Sequence, residues 1–321
     1  MNFLKNIEKE ITCFDIKFKE ALSTKATILH KITNYLFTSS GKKIRPICTL
    51  LAAGLIGGLN EKVYRGAVLI ELIHTATLVH DDIVDDAQLR RSFFSINTIW
   101  KNKISVLSGD YFLAKGLSLA VKHKDYDILQ LVSETVEKIV EGELYQIEKT
   151  KKLNLKEEDY FKIIKLKTAV LFQCCFKIGG SLIKNQKENF EKFEKLGLLF
   201  GMLFQIRDDI LDYRIELVNT GKVSGNDIKE GKINLPLLYA LEKMSIIEKN
   251  KVYRILRKKN NTKHEIQLVE KLVIKYKGID RAMVIIETYF VEAKSIILSF
   301  PESRYRVTLL LLLDFLINRT R

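Results

Sequence analysis

The sequence contains few of the residues that interrupt helices or build flexible linkers. Three prolines occur in 321 residues, and no long stretch is rich in serine and glycine, so nothing marks a junction between modules. Segments with the alternating pattern of β-strands are scarce, whereas apolar residues recur at helical spacing along most of the chain. We therefore predict an all-α protein with a single domain covering residues 1–321. The predicted helices are 3–37, 43–58, 61–86, 94–101, 105–122, 125–149, 156–183, 187–216, 233–247, 250–258, 263–276, 278–299 and 302–319.

Cysteines are also few, and they lack the spacing of a zinc or redox site. Cys13, Cys48, Cys174 and Cys175 are interpreted as reduced thiols of the core. The N-terminal residues alternate between apolar and charged and contain no signal-peptide core. The apolar run at 309–313 is far shorter than the roughly 20 residues that span a bilayer. These absences predict a cytoplasmic protein without a transmembrane segment.

Acidic residues are fewer than basic ones, and the formal net charge is +14. Such a charge raises the possibility of nucleic-acid binding. The lysines are scattered over many helix faces, however, and no zinc-finger or RNA-binding module accompanies them. We therefore expect no nucleic-acid partner, and the charge suits diphosphate substrates or anionic headgroups.

An acidic cluster stands out in the run ELIHTATLVHDDIVDDAQLRR. On a helix, Asp81 and Asp85 project from one face, with Asp82 at its flank. Two such carboxylates repel by roughly 4 kcal/mol at 4 Å and an effective dielectric constant of 20, unless a cation lies between them. Mg²⁺ is the natural candidate, since it takes one or two carboxylates together with waters and phosphate oxygens. Arg90 and Arg91, which follow, suit the geometry of a phosphate group.

A second cluster, in GMLFQIRDDILDYRIE, repeats the DDxxD spacing on another apolar helix. Its members are Asp208, Asp209 and Asp212. The two helices could face each other across a cavity. Arg207, directly before this cluster, has no explanation in the sequence.

The chain resembles the trans-prenyltransferases, and its pattern is that of a bacterial octaprenyl-type polyprenyl diphosphate synthase. Six motifs occur in the order typical of that family: GKKIRP, the first DDxxD followed by RR, GELYQ, KTA, FQIRDDILD and GKVSGNDIKEGK. The resemblance implies a single large helical bundle of the isoprenoid synthase type with a central substrate cavity.

The resemblance also implies a Mg²⁺-dependent condensation of isopentenyl diphosphate with an allylic diphosphate, with several ions per site. The six aspartates would form the catalytic centre. Metal ions would be held by Asp81, Asp85 and Asp208, while Asp82, Asp209 and Asp212 would complete or orient the shell.

Residues for both diphosphates follow from the same motifs. The isopentenyl diphosphate site would comprise Gly41, Lys42, Arg45, His74 and Arg91. The allylic diphosphate site would comprise Arg90, Lys167, Thr168, Gln205, Lys222 and Lys232. The polar, glycine-containing segment 217–232 is predicted to be a lid.

The small residues one turn before the first cluster predict a long product. Ala76 and Thr77 would let a growing chain pass towards Ile73, whereas short-chain relatives often have a bulky aromatic residue there. We expect a long-chain product for quinone side chains and, by resemblance, a homodimer.

Other functions fit less well. A short-chain farnesyl or geranylgeranyl diphosphate synthase is the main alternative. A terpene cyclase would not need GKKIRP and RR, and the non-catalytic subunit of a heteromeric synthase would lose its aspartates. A di-iron bundle is disfavoured because it needs a Glu-x-x-His pair on each of two helices, and this sequence has one such pair, Glu71 with His74.

Overall fold

The computed structural model describes residues 2–38, 41–90, 93–180, 187–213, 225–258 and 260–319. Nearly all of these residues are helical, which confirms the all-α prediction. Packing divides the chain into two compact units. The first comprises Met1–Thr135, Cys174–Glu194 and Pro301–Leu309, and the second comprises Val136–Gln173, Lys195–Phe300 and Leu310–Arg321. Neither unit is continuous in sequence, and the single-domain assignment stays a prediction.

The first unit begins with a 3₁₀ segment, Asn2–Ile7. The helices that follow are α1 (Glu8–Ala21), α2 (Thr27–Thr38), α3 (Ile44–Leu55), α4 (Glu61–Val84) and α5 (Ile96–Lys122). A short hairpin precedes α5, with β1 (Leu89–Arg90) paired antiparallel to β2 (Phe93–Phe94). The sequence analysis missed this hairpin, because two-residue strands are too short to show alternation.

Two predicted helix boundaries in this unit are wrong. The helix predicted over 3–37 is broken between α1 and α2, where the Thr24 hydroxyl accepts a hydrogen bond from the Ala26 N–H at 3.2 Å. Such a local bond offers the backbone an alternative to the helix. The helices predicted at 94–101 and 105–122 form one element, α5, in which Lys101 has φ 71° and ψ 159°. The predicted break is therefore a kink within one helix.

The core of the first unit surrounds α4. Leu72 and Ala76 of this helix pack in one apolar cluster with Phe14 of α1, Leu50 of α3 and Phe112 of α5. Burying each large side chain is worth about 1.5–3 kcal/mol. At the N-terminus, the Asn60 side chain caps α4 by accepting the Val63 N–H at 3.1 Å. The start and the middle of the helix that carries the first aspartate cluster are thus fixed.

Ten further helices complete the described chain. They are α6 (Tyr126–Lys152), α7 (Glu157–Ile164), α8 (Val170–Gly180), α9 (Lys187–Leu211), α10 (Asn226–Lys229), α11 (Leu235–Lys243), α12 (Ile246–Leu256), α13 (Lys263–Lys275), α14 (Gly278–Leu298) and α15 (Arg304–Asn318). Of these, α6, α8, α9 and α15 have residues in both units.

A π-helical turn interrupts the helix predicted over 156–183. It covers Lys165–Ala169 between α7 and α8, and the Val170 N–H bonds to the Lys165 carbonyl, five residues back. Two glycines allow neighbours to approach this turn closely. A Cβ on Gly142 of α6 would lie 2.7 Å from the Leu166 Cβ, and one on Gly201 of α9 would lie 2.3 Å from the Ala169 Cα. The turn is therefore held tightly between α6 and α9.

Candidate active site

The first aspartate cluster lies at the carboxyl end of α4. Asp81 and Asp82 belong to its last turn, and Asp85 is its C-cap. The Asp85 N–H still donates to the Asp81 carbonyl at 2.8 Å, so these two residues keep the one-turn relationship that the spacing predicts. Asp82 is buried, at 4% exposure, whereas Asp85 is exposed. The two aspartates predicted to bind metal are thus the more accessible ones.

This position is unfavourable for negative charge. The carboxyl end of a helix has a partial negative charge of its own, which repels nearby carboxylates. The same holds for the second cluster, which ends α9. A bound cation would remove this repulsion at both sites.

Two residues predicted for isopentenyl diphosphate are in direct contact in the first unit. Nη1 of Arg45, on α3, lies 2.8 Å from Nε2 of His74, on α4. Gly41 and Lys42 precede α3 in the same segment. Lys43, which we did not assign to the site, has left-handed φ and forms an ion pair of 2.7 Å with Asp15. The structure therefore brings Arg45 and His74 together and gives Lys43 a separate partner.

The two arginines after the first cluster fall on the hairpin. Arg90 is in β1, paired with Phe93. Arg91 lies outside the described residues, and so does Lys222, which was predicted for the allylic diphosphate site.

The residues predicted to set product length differ in their surroundings. Ile73 and Ala76 are buried, and Ala76 belongs to the packed core around α4. Thr77 is partly exposed, and its hydroxyl donates to the His74 carbonyl at 2.9 Å. Of the two small residues, Thr77 is thus the more accessible one.

The second aspartate cluster divides in the same way as the first. Asp209 is buried, while the Asp208 side chain is 43% exposed and forms an ion pair of 2.9 Å with Arg319. Asp212 follows the end of α9. Its carboxylate accepts the backbone N–H groups of Asn226 and Asp227 at 3.1 and 3.0 Å, which fixes the start of α10.

A chain of hydrogen bonds links the predicted allylic residues to Asp209 in the second unit. The Thr168 hydroxyl donates to Gln205 Oε1 at 2.8 Å, and Gln205 Nε2 donates to Asp209 Oδ1 at 2.9 Å. The other Asp209 oxygen accepts from the Tyr160 hydroxyl at 2.6 Å. Both oxygens of this buried carboxylate are therefore satisfied.

These residues line a cavity of about 140 Å³. Its lining includes three lysines, Lys149, Lys167 and Lys232, as well as the acids Asp209 and Asp227. Lys167 lies in the π-helical turn and pairs with Glu143, and its Nζ is 3.5 Å from Gln146 Oε1. The GELYQ and KTA motifs thus meet at one wall of this cavity.

Tyr160, Asp227 and Asn234 are among the cavity residues that were not assigned to the site from sequence. Asn234 donates to Asp227 at 2.7 Å, and its own oxygen accepts from the Tyr213 hydroxyl at 2.6 Å. The only signal was that Asp227 lies in the glycine-containing motif. The predicted lid is also only partly described, and within it Asn226–Lys229 forms α10.

The acids around this cavity resist ionisation. Burial, reinforced by the Asp227 charge, raises the pKa of Asp209 to about 8. Burial also raises the pKa of Asp227 to about 7, with Asp212 adding to the effect, and it raises the pKa of Asp212 itself. Such groups ionise together only when positive charge is supplied nearby.

The donor set suits Mg²⁺. Among the residues that the structure describes, no three His, Cys, Asp or Glu side chains form a group that could hold a metal ion. Mg²⁺ does not need such a cage, because substrate phosphates and waters normally complete its shell. The exposed carboxylates of Asp85 and Asp208 leave room for such phosphates and waters.

An all-α fold with two DDxxD clusters and a lysine-lined cavity defines a class of enzyme that handles diphosphates. The polyprenyl synthetase family matches residues 26–273, and the chain belongs to this family of trans-prenyl diphosphate synthases.

Individual relatives agree on the fold and differ in product. The chain is 35% identical to octaprenyl diphosphate synthase of Escherichia coli over 243 residues, 74% of this chain and 75% of the relative. It is 32% identical to geranylgeranyl diphosphate synthase of Saccharolobus solfataricus over 82% of this chain and 81% of the relative. A polyprenyl synthase from Caulobacter crescentus, crystallised with calcium and isoprenyl diphosphate, has a TM-score of 0.92, with 31% identity over 99% of this chain and 97% of the other.

One described helix, α5, is long and apolar enough to cross a membrane by length and composition alone, and 33% of its most apolar stretch is buried. Core helices of ordinary globular proteins meet the same criterion.

Proposed function

We propose that this protein condenses isopentenyl diphosphate with an allylic diphosphate to make a long-chain, octaprenyl-type polyprenyl diphosphate in a Mg²⁺-dependent reaction. The observation that carries the proposal is the cavity of the second unit, where the lysines and the Thr168–Gln205–Asp209 chain adjoin the second DDxxD cluster.

The allylic diphosphate would be held and ionised through this cavity. Lys167 and Lys232 would bind its oxygens with charge-assisted hydrogen bonds, and Thr168 and Gln205 would orient it. The bond between the allylic carbon and the diphosphate oxygen breaks, and negative charge grows on the leaving diphosphate. Mg²⁺ bound at Asp81, Asp85 and Asp208 would act as a Lewis acid on that charge.

Isopentenyl diphosphate must bind without ionising, so it needs cationic donors rather than the metal cluster. Arg45 and His74 would serve this purpose, together with Gly41, Lys42 and Arg91. The Arg45–His74 contact supports a shared donor pair, since both side chains are already positioned. The double bond of this substrate attacks the allylic cation, and loss of a proton completes the condensation.

Product length is the finer part of the proposal. Thr77 would admit the growing chain, and each added methylene would gain roughly 0.8 kcal/mol on burial. The alternative, a short-chain synthase, draws support from the burial of Ile73 and Ala76 in the core, which would close the path beneath Thr77.

Product analysis tests both versions. Incubation with farnesyl diphosphate, excess isopentenyl diphosphate and Mg²⁺ should give products well beyond geranylgeranyl diphosphate by mass spectrometry. Products that stop at geranylgeranyl diphosphate would select the short-chain alternative, and no condensation at all would contradict the proposed function.

The proposal includes a homodimer in the cytoplasm, with the product delivered to the membrane for quinone side chains. Apolar side chains on α5, including Val106, Leu117 and Val121, are exposed at positions that share one face, which supports a partner subunit on this helix. Three of the four cysteines are buried thiols, which suits a reducing compartment. Light scattering that shows only monomer at micromolar concentration under active conditions would contradict the dimer.

A further inference from the structure

Two buried arginines lie beside the second aspartate cluster. Arg207 precedes Asp208 on α9, and Arg319 follows the end of α15. Both are less than a tenth exposed, at 4% and 8%. Burying a guanidinium group is costly unless its donors find partners. The contacts of these two side chains therefore indicate what the burial achieves.

The Arg319 side chain is held on three sides. One nitrogen, Nη2, lies 2.9 Å from Asp208 Oδ1 and also donates to the Phe204 carbonyl at 2.7 Å. The guanidinium carbon lies 4.0 Å from the centre of the Phe204 ring, a distance at which a cation is attracted to an aromatic face. Asp208 and Phe204 both belong to the FQIRDDILD motif.

Arg207 fixes the backbone of Arg319. Its Nη2 donates to the Arg319 carbonyl at 3.0 Å, and its Nη1 contacts the Met283 sulfur at 3.7 Å. The main chain at Arg319 is also held by its N–H, which donates to the Phe315 carbonyl at 2.9 Å. The arginine for which the sequence offered no role thus anchors the residue that contacts Asp208.

We infer that Arg319 is a positioning residue for Asp208: it fixes one carboxylate oxygen and so directs the other towards the metal and diphosphate. The inference rests on the proposed function, since it takes Asp208 as a metal ligand. Carboxylates that bind metals are commonly oriented by hydrogen bonds from residues behind them, and removing such a partner typically weakens metal binding about 10–100-fold. Because Asp208 is partly exposed, loss of the Arg319 contact would widen the range of rotamers that its side chain samples.

The test measures metal binding without relying on turnover. Mg²⁺ is titrated in the presence of inorganic pyrophosphate, and the thermal unfolding midpoint is followed. Arg319→Gln should shift the half-maximal Mg²⁺ concentration upwards by about 10–100-fold. Arg281→Gln is the matched control, because Arg281 also pairs with a carboxylate, that of Glu242, and lies 3.9 Å from the Tyr239 ring centre. This control should leave the titration unchanged.

A double mutant separates positioning from general structural support. In an Asp208→Asn background, Arg319→Gln should produce no further shift in the Mg²⁺ titration, because the carboxylate it positions is gone. If circular dichroism shows that Arg319→Gln is unfolded, Arg319→Lys takes its place. Lysine keeps the charge but lacks the planar fork. The half-maximal Mg²⁺ concentration of the Arg319→Lys variant should therefore rise several-fold.

Several outcomes would overturn the inference. An unchanged titration in the folded Arg319 variant would make its role purely structural, and tighter Mg²⁺ binding would make it a competitor of the metal. If wild type condenses the substrates normally and the Arg319 variant needs the same Mg²⁺ concentration as wild type, this inference fails and the proposed function stands. If wild type neither condenses the substrates nor responds to Mg²⁺ with pyrophosphate, the proposed function fails as well.

Discussion

The hydroxyl of Tyr160 lies 2.6 Å from a carboxylate oxygen of Asp209, and both side chains are buried. Burial, together with the Asp209 charge, raises the pKa of Tyr160 well above its usual value. The phenol therefore keeps its proton and donates a hydrogen bond to the Asp209 carboxyl group. This bond ties α7 to the second aspartate cluster on α9.

Removing that hydroxyl should destabilise the protein. In Tyr160→Phe, the buried Asp209 carboxyl group loses one partner, and the free energy of unfolding should fall by about 1–3 kcal/mol. Urea unfolding at pH 7 measures this change. Tyr239→Phe is the control, since its ring is equally buried but its hydroxyl bonds to the partly exposed Glu157. An equal loss in both variants would mean that the Asp209 partner is not special.

The aspartates proposed as metal ligands should be indispensable for turnover. Asp81→Ala and Asp208→Ala should each lower turnover by orders of magnitude, because several kcal/mol of charge stabilisation on the leaving diphosphate would be lost. Asp86→Asn provides a control from the same run: Asp86 is exposed, follows the DDxxD motif and has left-handed φ, which asparagine tolerates. Near-normal, metal-independent rates in both alanine variants would end the metal proposal.

Bulky residues at positions 76 and 77 should behave differently. Thr77→Phe should shorten the product while leaving the first condensations largely intact, as mass spectrometry of the chain lengths would show. Ala76→Phe should instead destabilise the fold by about 1–3 kcal/mol, since Ala76 is packed in the core. A full-length product from a folded Thr77→Phe would exclude this residue from the path of the chain.

Glu248 should make stability depend on acid pH. Hydrogen bonds from Lys275, Tyr276 and Ser245 lower its pKa to about 2, against about 4.3 in an unfolded chain. Because the unfolded state takes up the proton first, Glu248 stabilises the fold above about pH 5, and this contribution is lost as the pH falls towards 2.

Glu248→Gln should therefore melt at a lower temperature than wild type at pH 7, and the difference should shrink towards pH 2–3. Calorimetry at several pH values measures this. Glu302→Gln, at a side chain that is 84% exposed, should show no such trend. A difference between Glu248→Gln and wild type that is the same at every pH would contradict the assignment.

Motif spacing predicted much of this molecule because it reports local geometry. The pairing of Asp81 with Asp85 follows from four-residue spacing on a helix, and the helical class follows from apolar periodicity. The break between α1 and α2 was missed, because the Thr24 hydroxyl bond found there leaves that periodicity undisturbed. Tyr160, Asp227 and Asn234 were missed for another reason. Their roles depend on contacts between distant segments, and their residue types carry no spacing signal.

The π-helical turn at Lys165–Ala169 also affects how the chain can be compared and altered. A five-residue hydrogen-bonded ring contains one residue more than the α-helical ring, so the segment holds an insertion of one amino acid within an otherwise regular helix. Deleting one residue within the turn would restore regular winding and keep α7 and α8 aligned as they are. Deleting one residue from the regular helix between Tyr160 and the turn would instead rotate everything on one side by about 100° relative to the other, Tyr160 relative to Phe172 included. A single-residue gap at this position in a sequence alignment would mark relatives whose KTA segment lacks the π-helical turn.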